Sequence, residues 1–297
     1  MKLNEECVFP TAGTAVDLAV SGGPDSLGLL LLALDAGLVV TVHHVDHHAR
    51  GASTHDAAYV QEVSRRFAVT CVVHDVHVPR GANFEALARA ARRRVLPAGT
   101  MTGHTMDDLA ETVLLNMIRG AGLEGLSPMV NDPTKPLIHV RRRELHFYVV
   151  EAELEARYDE TNDSPDFRRN RVRHELLGVM NDIADRDVVP LLARQARVLD
   201  EDRRWLDELA HADLGVSLVA ADCRELRQWA PARLSRWLRV RLARTTPEGE
   251  TYAPSADEIA RALAVVRGDV VACELGGGRR LSRRVQHLTL HEIAPLR

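Results

Sequence analysis

Cysteine is scarce in this 297-residue chain, and its four residues are scattered. None forms a C-x-x-C pair, which argues against a zinc knuckle, an iron–sulfur cluster or a disulfide framework. Apolar runs are all much shorter than the ~20 residues of a membrane span, and the N-terminal MKLNEECVFP lacks a signal-like apolar segment. We therefore expect a cytoplasmic protein without a membrane contact, long enough for two domains with sizeable cores.

Lysine is also rare, since Lys2 and Lys135 are the only two among 38 basic residues. Genomic base composition accounts for most of this excess of arginine, although arginine suits phosphate contacts where it clusters. The net charge of -4 does not by itself indicate nucleic-acid binding. The charge is uneven, however, because residues 190–297 carry +3 and the preceding residues carry -7.

A glycine-rich loop lies between an apolar run, Ala15–Val20, and an apolar helical segment, Leu27–Ala36. Its glycines allow the backbone to approach a ligand closely, and proline suits a first helical turn. Such a loop directs N–H groups and a helix N-terminus at one point, which is typical of a phosphate site. The candidate residues are Ser21, Gly22, Gly23, Pro24, Asp25 and Ser26.

The loop contains an acid where ordinary nucleotide-binding loops contain lysine, so it does not match the GxxxxGK[ST] pattern. An aspartate beside polyphosphate would be repelled unless a divalent cation lay between them, so Asp25 implies Mg²⁺. The alternative interpretation is a Gly-Ser turn with a capping side chain.

Strands and helices alternate through the first half of the chain, which predicts an α/β fold with a doubly wound parallel sheet. Ligands of such sheets bind outside the carboxyl ends of the strands. The turns after strands one, two and four should therefore surround one crevice. The second of these turns, His44–Arg50, carries three histidines, but polar side chains in a turn more often form hydrogen bonds than a zinc site.

The turn GHTMDDLAET carries an acidic cluster at the start of a helix, Asp107–Ile118. His104, Asp107, Asp108 and Glu111 lie near one another once that helix forms. Helix capping accounts for one acid. The whole cluster could hold Mg²⁺ or recognise and deprotonate an amine.

Two arginine-rich stretches are candidate phosphate contacts, although a solvated face is the default for each. The first contains Arg168, Arg169, Arg171, Arg173 and His174, and the second contains Arg279, Arg280, Arg283 and Arg284. The second lies in a small β element that follows several Ala/Leu/Arg-rich helices. This change of pattern predicts two domains, a catalytic domain over 1–188 and a smaller, mainly helical substrate-handling domain over 189–297.

The loop SGGPDS resembles the PP-loop of the N-type ATP pyrophosphatases, which have an adenine nucleotide alpha-hydrolase-like fold. Over most of its length the chain further resembles bacterial tRNA(Ile)-lysidine synthases, in the short form without a further C-terminal domain. The shared motifs are SGGPDSLGLL, HVDHHARGAS, NFEALARAAR, TGHTMDDLAETVLLNMIRGAGLEGL and FRRNRVRHELL.

The resemblance implies a ligase that uses ATP and Mg²⁺ to adenylate the wobble cytidine of a CAU-anticodon isoleucine tRNA. The amine of free lysine then displaces AMP and gives lysidine. Asp25 matches the Mg²⁺ contact, His104, Asp108 and Glu111 match the catalytic acidic helix, and Arg169, Arg171 and Arg173 match substrate-binding positions. The arginines of the β element, from Arg279 to Arg284, would contact tRNA. The oligomeric state is left open, a homodimer included.

The motifs depart from the family at a few positions, none of which removes a charged member of the site, namely His48, Ala49, Arg93, Met106, Glu160 and Thr161. Two other readings stay open. The chain could be another PP-loop enzyme, for tRNA thiolation or ammonia-dependent ligation, or it could be a non-catalytic nucleotide-binding regulator. The sequence offers no account of Asp17, an acid within the first apolar strand.

Overall fold

The computed structural model describes residues 3–46, 53–77, 84–157, 167–212, 217–219, 221–245 and 251–292. The chain forms two compact units, Met1–Val198 and Leu199–Arg297. The first unit is an α/β domain, and the second is mainly helical, with two small antiparallel sheets among its described residues. Residues His47–Arg50 of the histidine-rich turn lie outside the described residues, as do Glu160 and Thr161.

The first unit is built on a parallel sheet of three strands in the order β1–β2–β3. Met101 adds a single parallel bridge to Leu18 on the other side of β1, so the expected fourth strand is reduced to one residue. This arrangement confirms the predicted parallel α/β fold. The strands are β1 (Ala15–Ala19), β2 (Val39–Asp46) and β3 (Thr70–Asp75).

Helices follow each strand, and α1 and α4 begin and end within three residues of their predicted bounds. They are α1 (Pro24–Asp35), α2 (Ser53–Arg66), α3 (Phe84–Val95), α4 (Met106–Ile118), α5 (Leu123–Leu126) and α6 (Arg142–Glu151). Helix α1 is apolar on all sides because it is buried, and its leucines form the centre of the core of this unit. Gly28 lies against Leu145, and a Cβ at Gly28 would collide with that side chain. Helix α6 can therefore pack closely on α1.

The remaining helices of the first unit form one nearly continuous segment. They are α7 (Arg168–Arg171), a π-helical turn (Val172–Leu176), α8 (Leu177–Ala184) and α9 (Val189–Ala212), which contains the boundary between the units. The π-helical turn rotates the side chains that follow it relative to an ideal α-helix, and such turns are frequent at functional sites. Val172 and Leu177 pack with Ala110 and Leu114 of α4, which holds the arginine-rich segment against that helix.

The second unit packs around Trp237, which is fully buried. Its elements are α10 (Cys223–Leu226), α11 (Pro231–Arg241), β4 (Arg244–Thr245), β5 (Thr251–Tyr252), α12 (Ala256–Arg267), β6 (Ala272–Leu275), β7 (Arg279–Arg284) and β8 (His287–Glu292). The expected hairpin-like element is a three-stranded antiparallel sheet in the order β6–β7–β8.

Candidate active site

The loop after β1 is held in shape by its own serines. The Ser26 hydroxyl donates to the carbonyl of Gly23 over 2.9 Å and accepts from the amide of Ser21 over 3.1 Å. Gly22 has φ +89°, a conformation that L side chains rarely adopt. Gly23 is the N-cap residue of α1 and, as a glycine, offers no side chain to the amides of the first turn. The loop thus presents backbone at the start of a 12-residue helix, which suits an anion.

The turn before α4 lies directly against this loop. A Cβ at Gly103 would lie 2.5 Å from the carbonyl oxygen of Asp25, so only glycine permits this approach. The structure therefore brings the phosphate-loop candidate and the acidic helix to one place. The loop follows the carboxyl end of β1, and the turn follows the bridge at Met101. Ligands of parallel sheets bind at this end of the strands.

Asp108 combines a capping role with an ionic one. Its Oδ2 accepts from the amide and the hydroxyl of Thr105, each over 2.8 Å. Its Oδ1 accepts from Arg142 over 2.7 Å and from Arg169 over 2.8 Å. Burial alone would raise the pKa of Asp108, but Arg142, Arg169 and the Thr105 amide together lower it below the ordinary value. Asp108 is therefore ionised at neutral pH.

Glu111 is fully buried and lies among three arginines. Its oxygens accept from Arg142 over 2.9 Å, from Arg169 over 2.7 Å and from Arg173 over 2.7 and 3.1 Å. Burial would raise the pKa of Glu111, but the hydrogen bond from Arg173 and the charge of Arg142 outweigh it and lower the pKa. We call Asp108 and Glu111 the acid pair.

Asp107, the third acid of this helix, is not part of that arrangement. Its carboxylate accepts from the Arg141 guanidinium over 3.0 and 3.1 Å and from the Arg142 amide over 2.8 Å. Arg141 also pairs with Asp187. Asp107 therefore ties the N-terminus of α6 to the N-terminus of α4.

Sequence reasoning missed α6, which brings two further residues to the site. His146 Nε2 lies 2.8 Å from Oδ1 of Asp25, and Arg142 Nε lies 3.4 Å from its Oδ2. The two residues are four apart, so they lie on one face of the helix. A run of three arginines followed by a histidine, R-R-R-E-L-H, was the available signal, but nothing in that stretch alone indicates a partner on α1.

Comparison with known proteins decides the family. The model of the PP-loop domain family matches residues 2–180. A tRNA(Ile)-lysidine synthase from Nocardia farcinica is 36% identical over 77% of this chain and 75% of that protein. The chain belongs to the tRNA(Ile)-lysidine synthase family. A Thermobifida fusca tRNA(Ile)-lysidine synthase is 33% identical over 91% of this chain and 89% of that protein.

The length of the match varies among relatives. The chain spans 60% of the tRNA(Ile)-lysidine synthase of Solibacter usitatus, to which it is 34% identical. A U34-tRNA thiolase from Methanococcus maripaludis, solved with its [4Fe–4S] cluster, shares the fold with a TM-score of 0.56 and 16% identity. That similarity covers 67% of this chain and 76% of the thiolase, and it shows the fold alone.

Mg²⁺ is the metal that the PP-loop family and Asp25 imply, and the residues present fit it. Asp25 offers a carboxylate whose side chain is 32% exposed, at the N-terminal turn of α1 beside the loop backbone. Mg²⁺ is usually held by one or two carboxylates together with substrate phosphates. Among the described residues, no group of three or more histidines, cysteines or acids could hold a metal by itself.

The three arginines expected to bind substrate in the first unit fall into two classes. Arg169 and Arg173 contact the acid pair, whereas Arg171 is exposed and pairs with Glu175 on the surface. The π-helical turn begins directly after Arg171, so Arg169 and Arg173 both face α4. In this family member, Arg169 and Arg173 therefore belong to the ion network of the site, and Arg171 lies outside it.

His104 lies at the edge of the acid pair and is uncharged at neutral pH. Burial first, and then the charge of Lys135, lowers its pKa to about 4. Its Nδ1 lies 2.7 Å from the Thr102 hydroxyl, which also accepts from Lys135 Nζ over 2.7 Å. Because the lysine can only donate, the Thr102 hydrogen is available to His104 Nδ1, which favours the tautomer protonated on Nε2.

The four arginines of the second unit divide between the two faces of β7. Arg279 and Arg283 share the face of Leu281, which is fully buried, and they donate to the carbonyls of Leu242 and Val285 over 2.8 and 3.1 Å. Arg280 and Arg284 are exposed on the opposite face. This second pair is the more exposed, and contact of any of the four arginines with a tRNA phosphate stays a prediction.

Asp17 also finds an explanation in the sheet. Its Oδ1 lies 2.8 Å from Nε2 of the buried His43, whose Nδ1 lies 2.9 Å from Nε2 of His74. The three residues lie on the same face of β1, β2 and β3, each two residues away from the position that pairs directly with its neighbour. Asp17 therefore serves as the hydrogen-bond partner of a buried histidine rather than of a ligand.

Among the described residues, no helix is both long and apolar enough to cross a membrane.

Proposed function

We propose that this chain ligates free lysine to C2 of the wobble cytidine, position 34, in the CAU-anticodon isoleucine tRNA. It would use ATP, form an adenylated cytidine, and release AMP and pyrophosphate. Family membership supports the reaction class, and the PP-loop implies ATP use. The observation that carries the proposal is the close approach of the phosphate loop to the turn that leads into α4, the helix with two ionised acids. We place the reaction in the cytoplasm.

In the first half-reaction, the C2 carbonyl oxygen of cytidine attacks the α-phosphorus of ATP, and pyrophosphate leaves. The loop Ser21–Ser26 would bind the phosphates at the start of α1 through backbone N–H groups, apart from Pro24, which has none. Asp25 would hold Mg²⁺, which neutralises phosphate charge when bound. The loop serines keep the backbone in the binding shape without reorganisation, because Ser26 is hydrogen-bonded on both sides.

In the second half-reaction, the lysine amine attacks C2, the C2–oxygen bond breaks, and AMP departs with the oxygen. A cationic amine needs carboxylates to bind and must lose a proton before it attacks. Asp108 and Glu111 supply that charge beside the phosphate loop. Arginines occupy both carboxylates in this structure, so the amine would have to replace one of these partners. Of the acid pair, Asp108 is the more accessible member.

The neutral His104 would be a poor base for an ammonium ion, since its pKa of about 4 lies far below that of an amine. We propose that it donates a hydrogen bond to the substrate from Nε2 instead. Arg280 and Arg284 of the second unit, with Arg171 of the first, would contact tRNA phosphates.

ATP–pyrophosphate exchange tests the first half of this proposal. We expect exchange with the CAU-anticodon tRNA and Mg²⁺, and none with a tRNA that carries uridine at position 34. Pyrophosphate exchange that does not depend on the tRNA would favour a different PP-loop enzyme. Nucleotide binding without any exchange would favour the non-catalytic regulator.

A further inference from the structure

Arg142 contacts the carboxylates of the acid pair and the carboxylate of the phosphate loop. Its Nη1 donates to Glu111 over 2.9 Å and its Nη2 donates to Asp108 over 2.7 Å. Its Nε lies 3.4 Å from Asp25 in the phosphate loop, the longest of the three contacts. The guanidinium is a rigid planar fork, so one side chain can hold three carboxylates at fixed separations.

The backbone of Arg142 is firmly anchored. Asp107 accepts from its amide over 2.8 Å, and Leu145, one turn further along, is fully buried against Gly28 of α1. Helix α6 therefore stays in place when the site changes its charge. The longest side-chain contact of Arg142 is the one to Asp25, so it is the contact most easily released.

We propose that Arg142 is a positioning residue that competes with a divalent cation for Asp25. In the ligand-free protein Arg142 and His146 together hold this carboxylate beside the acid pair, and metal–nucleotide binding requires Arg142 to release Asp25. A guanidinium and a metal ion on one carboxylate repel each other, so they cannot both be neighbours without a loss of affinity. Arg142 keeps Asp108 and Glu111 as partners after release, so no buried charge is left unpaired. This inference rests on the proposed function only for the nucleotide and its metal.

The test is a Mg²⁺ titration of the binding of a fluorescent, non-hydrolysable ATP analogue to the full chain. We expect Arg142→Gln to lower the Mg²⁺ concentration at half-maximal binding by about tenfold, because a cation near Asp25 is removed. Arg143→Gln is the matched control. It removes the same charge from the next position, but Arg143 is 70% exposed and its ion pair, to Asp187, is 3.9 Å long. For Arg143→Gln, the midpoint, meaning the Mg²⁺ concentration at half-maximal binding, should match that of the unsubstituted chain.

Arg142→Lys provides a second variant. Its point charge cannot span three carboxylates and should stay with the acid pair, so the midpoint should fall by a smaller factor. We expect Arg142→Gln to fold, since Arg169 and Arg173 still pair with Asp108 and Glu111. If it does not fold, Arg142→Lys alone decides.

An unchanged or raised midpoint in the folded Arg142 variants would overturn the competition. The readout is nucleotide binding, so it separates this inference from the proposed function. A chain that binds the analogue with Mg²⁺ but makes no lysidine would refute the function and leave the competition intact.

Discussion

Nη1 of Arg142 lies 2.9 Å from Oε1 of Glu111, and this contact joins α6 to the acidic helix α4 at a carboxylate with 0% side-chain exposure. Buried charges are stable only when they are paired and hydrogen-bonded. Glu111 meets that condition through three arginines, so it both organises the site and holds α4, α6 and the arginine-rich segment together. Its substitution should therefore affect stability as well as lysine transfer.

Glu111→Gln should lower the free energy of unfolding by roughly 3 kcal/mol, because it leaves three partly buried arginines with less compensating charge. In the protein that remains folded, pyrophosphate exchange should be spared more than lysine transfer, and the KM for lysine should rise. Urea unfolding and the two half-reactions measure these effects. Glu175→Gln, in the exposed pair with Arg171, should change neither quantity. Loss of exchange with an unchanged KM for lysine would assign Glu111 to the nucleotide step.

Asp25→Asn should leave the fold intact and abolish AMP formation. The side chain is partly exposed, so its replacement costs little stability, but the loop loses the charge that would hold Mg²⁺. Thermal unfolding and AMP release with the CAU-anticodon tRNA measure the two effects. Asp35→Asn is the control, since it makes the same change at the other end of α1. Normal AMP release by folded Asp25→Asn at ordinary Mg²⁺ concentrations would contradict the assignment.

Arg280→Gln with Arg284→Gln should weaken tRNA binding and flatten its salt dependence. Each lost phosphate contact lowers the slope of log affinity against log salt by about 0.9 for a duplex. Arg279→Gln with Arg283→Gln removes the same charge from the inner face of the same strand. This control pair should lower the melting temperature, because both side chains bind backbone carbonyls there. If the two double variants have the same slope of log affinity against log salt, the assignment of tRNA contact to Arg280 and Arg284 is wrong.

The depressed pKa of His104 predicts a pH-dependent loss of stability. Between its ordinary value of 6.5 and about 4, the unfolded chain binds a proton that the folded chain does not, so stability rises with pH across this window. The penalty is absent above the window and complete below it, and at pH 5 it is at most about 2 kcal/mol. Urea unfolding at pH 7 and pH 5 should show a smaller loss in His104→Gln than in the unsubstituted chain. Equal losses of the free energy of unfolding in the two proteins would contradict the lowered pKa of His104.

Local sequence patterns were sufficient for most of the first unit. The strands and helices follow apolar runs whose length and flanking glycines are visible in sequence, and β1, α1 and α4 lie within a few residues of the prediction. The phosphate-loop residues and the acidic helix were found because their chemistry is concentrated in short motifs. Their proximity followed from the rule that ligands bind at the carboxyl ends of parallel strands.

The residues that sequence reasoning missed depend on contacts between distant segments. Arg142 and His146 meet Asp25 across more than 100 positions, so no local pattern could identify them. Asp17 was unexplained for the same reason, since its partner His43 is on the neighbouring strand. The two faces of β7 could have been separated in sequence, because alternate residues of a strand point to opposite sides.

The most direct test of the account is lysidine formation itself. The purified chain would be incubated with ATP, Mg²⁺, isotope-labelled lysine and the CAU-anticodon isoleucine tRNA, and the digested nucleosides would be analysed by mass spectrometry. The account predicts labelled lysidine at position 34, with one AMP released per lysine incorporated, and none when that position is uridine. An active preparation that releases AMP but leaves cytidine 34 without labelled lysine would contradict it.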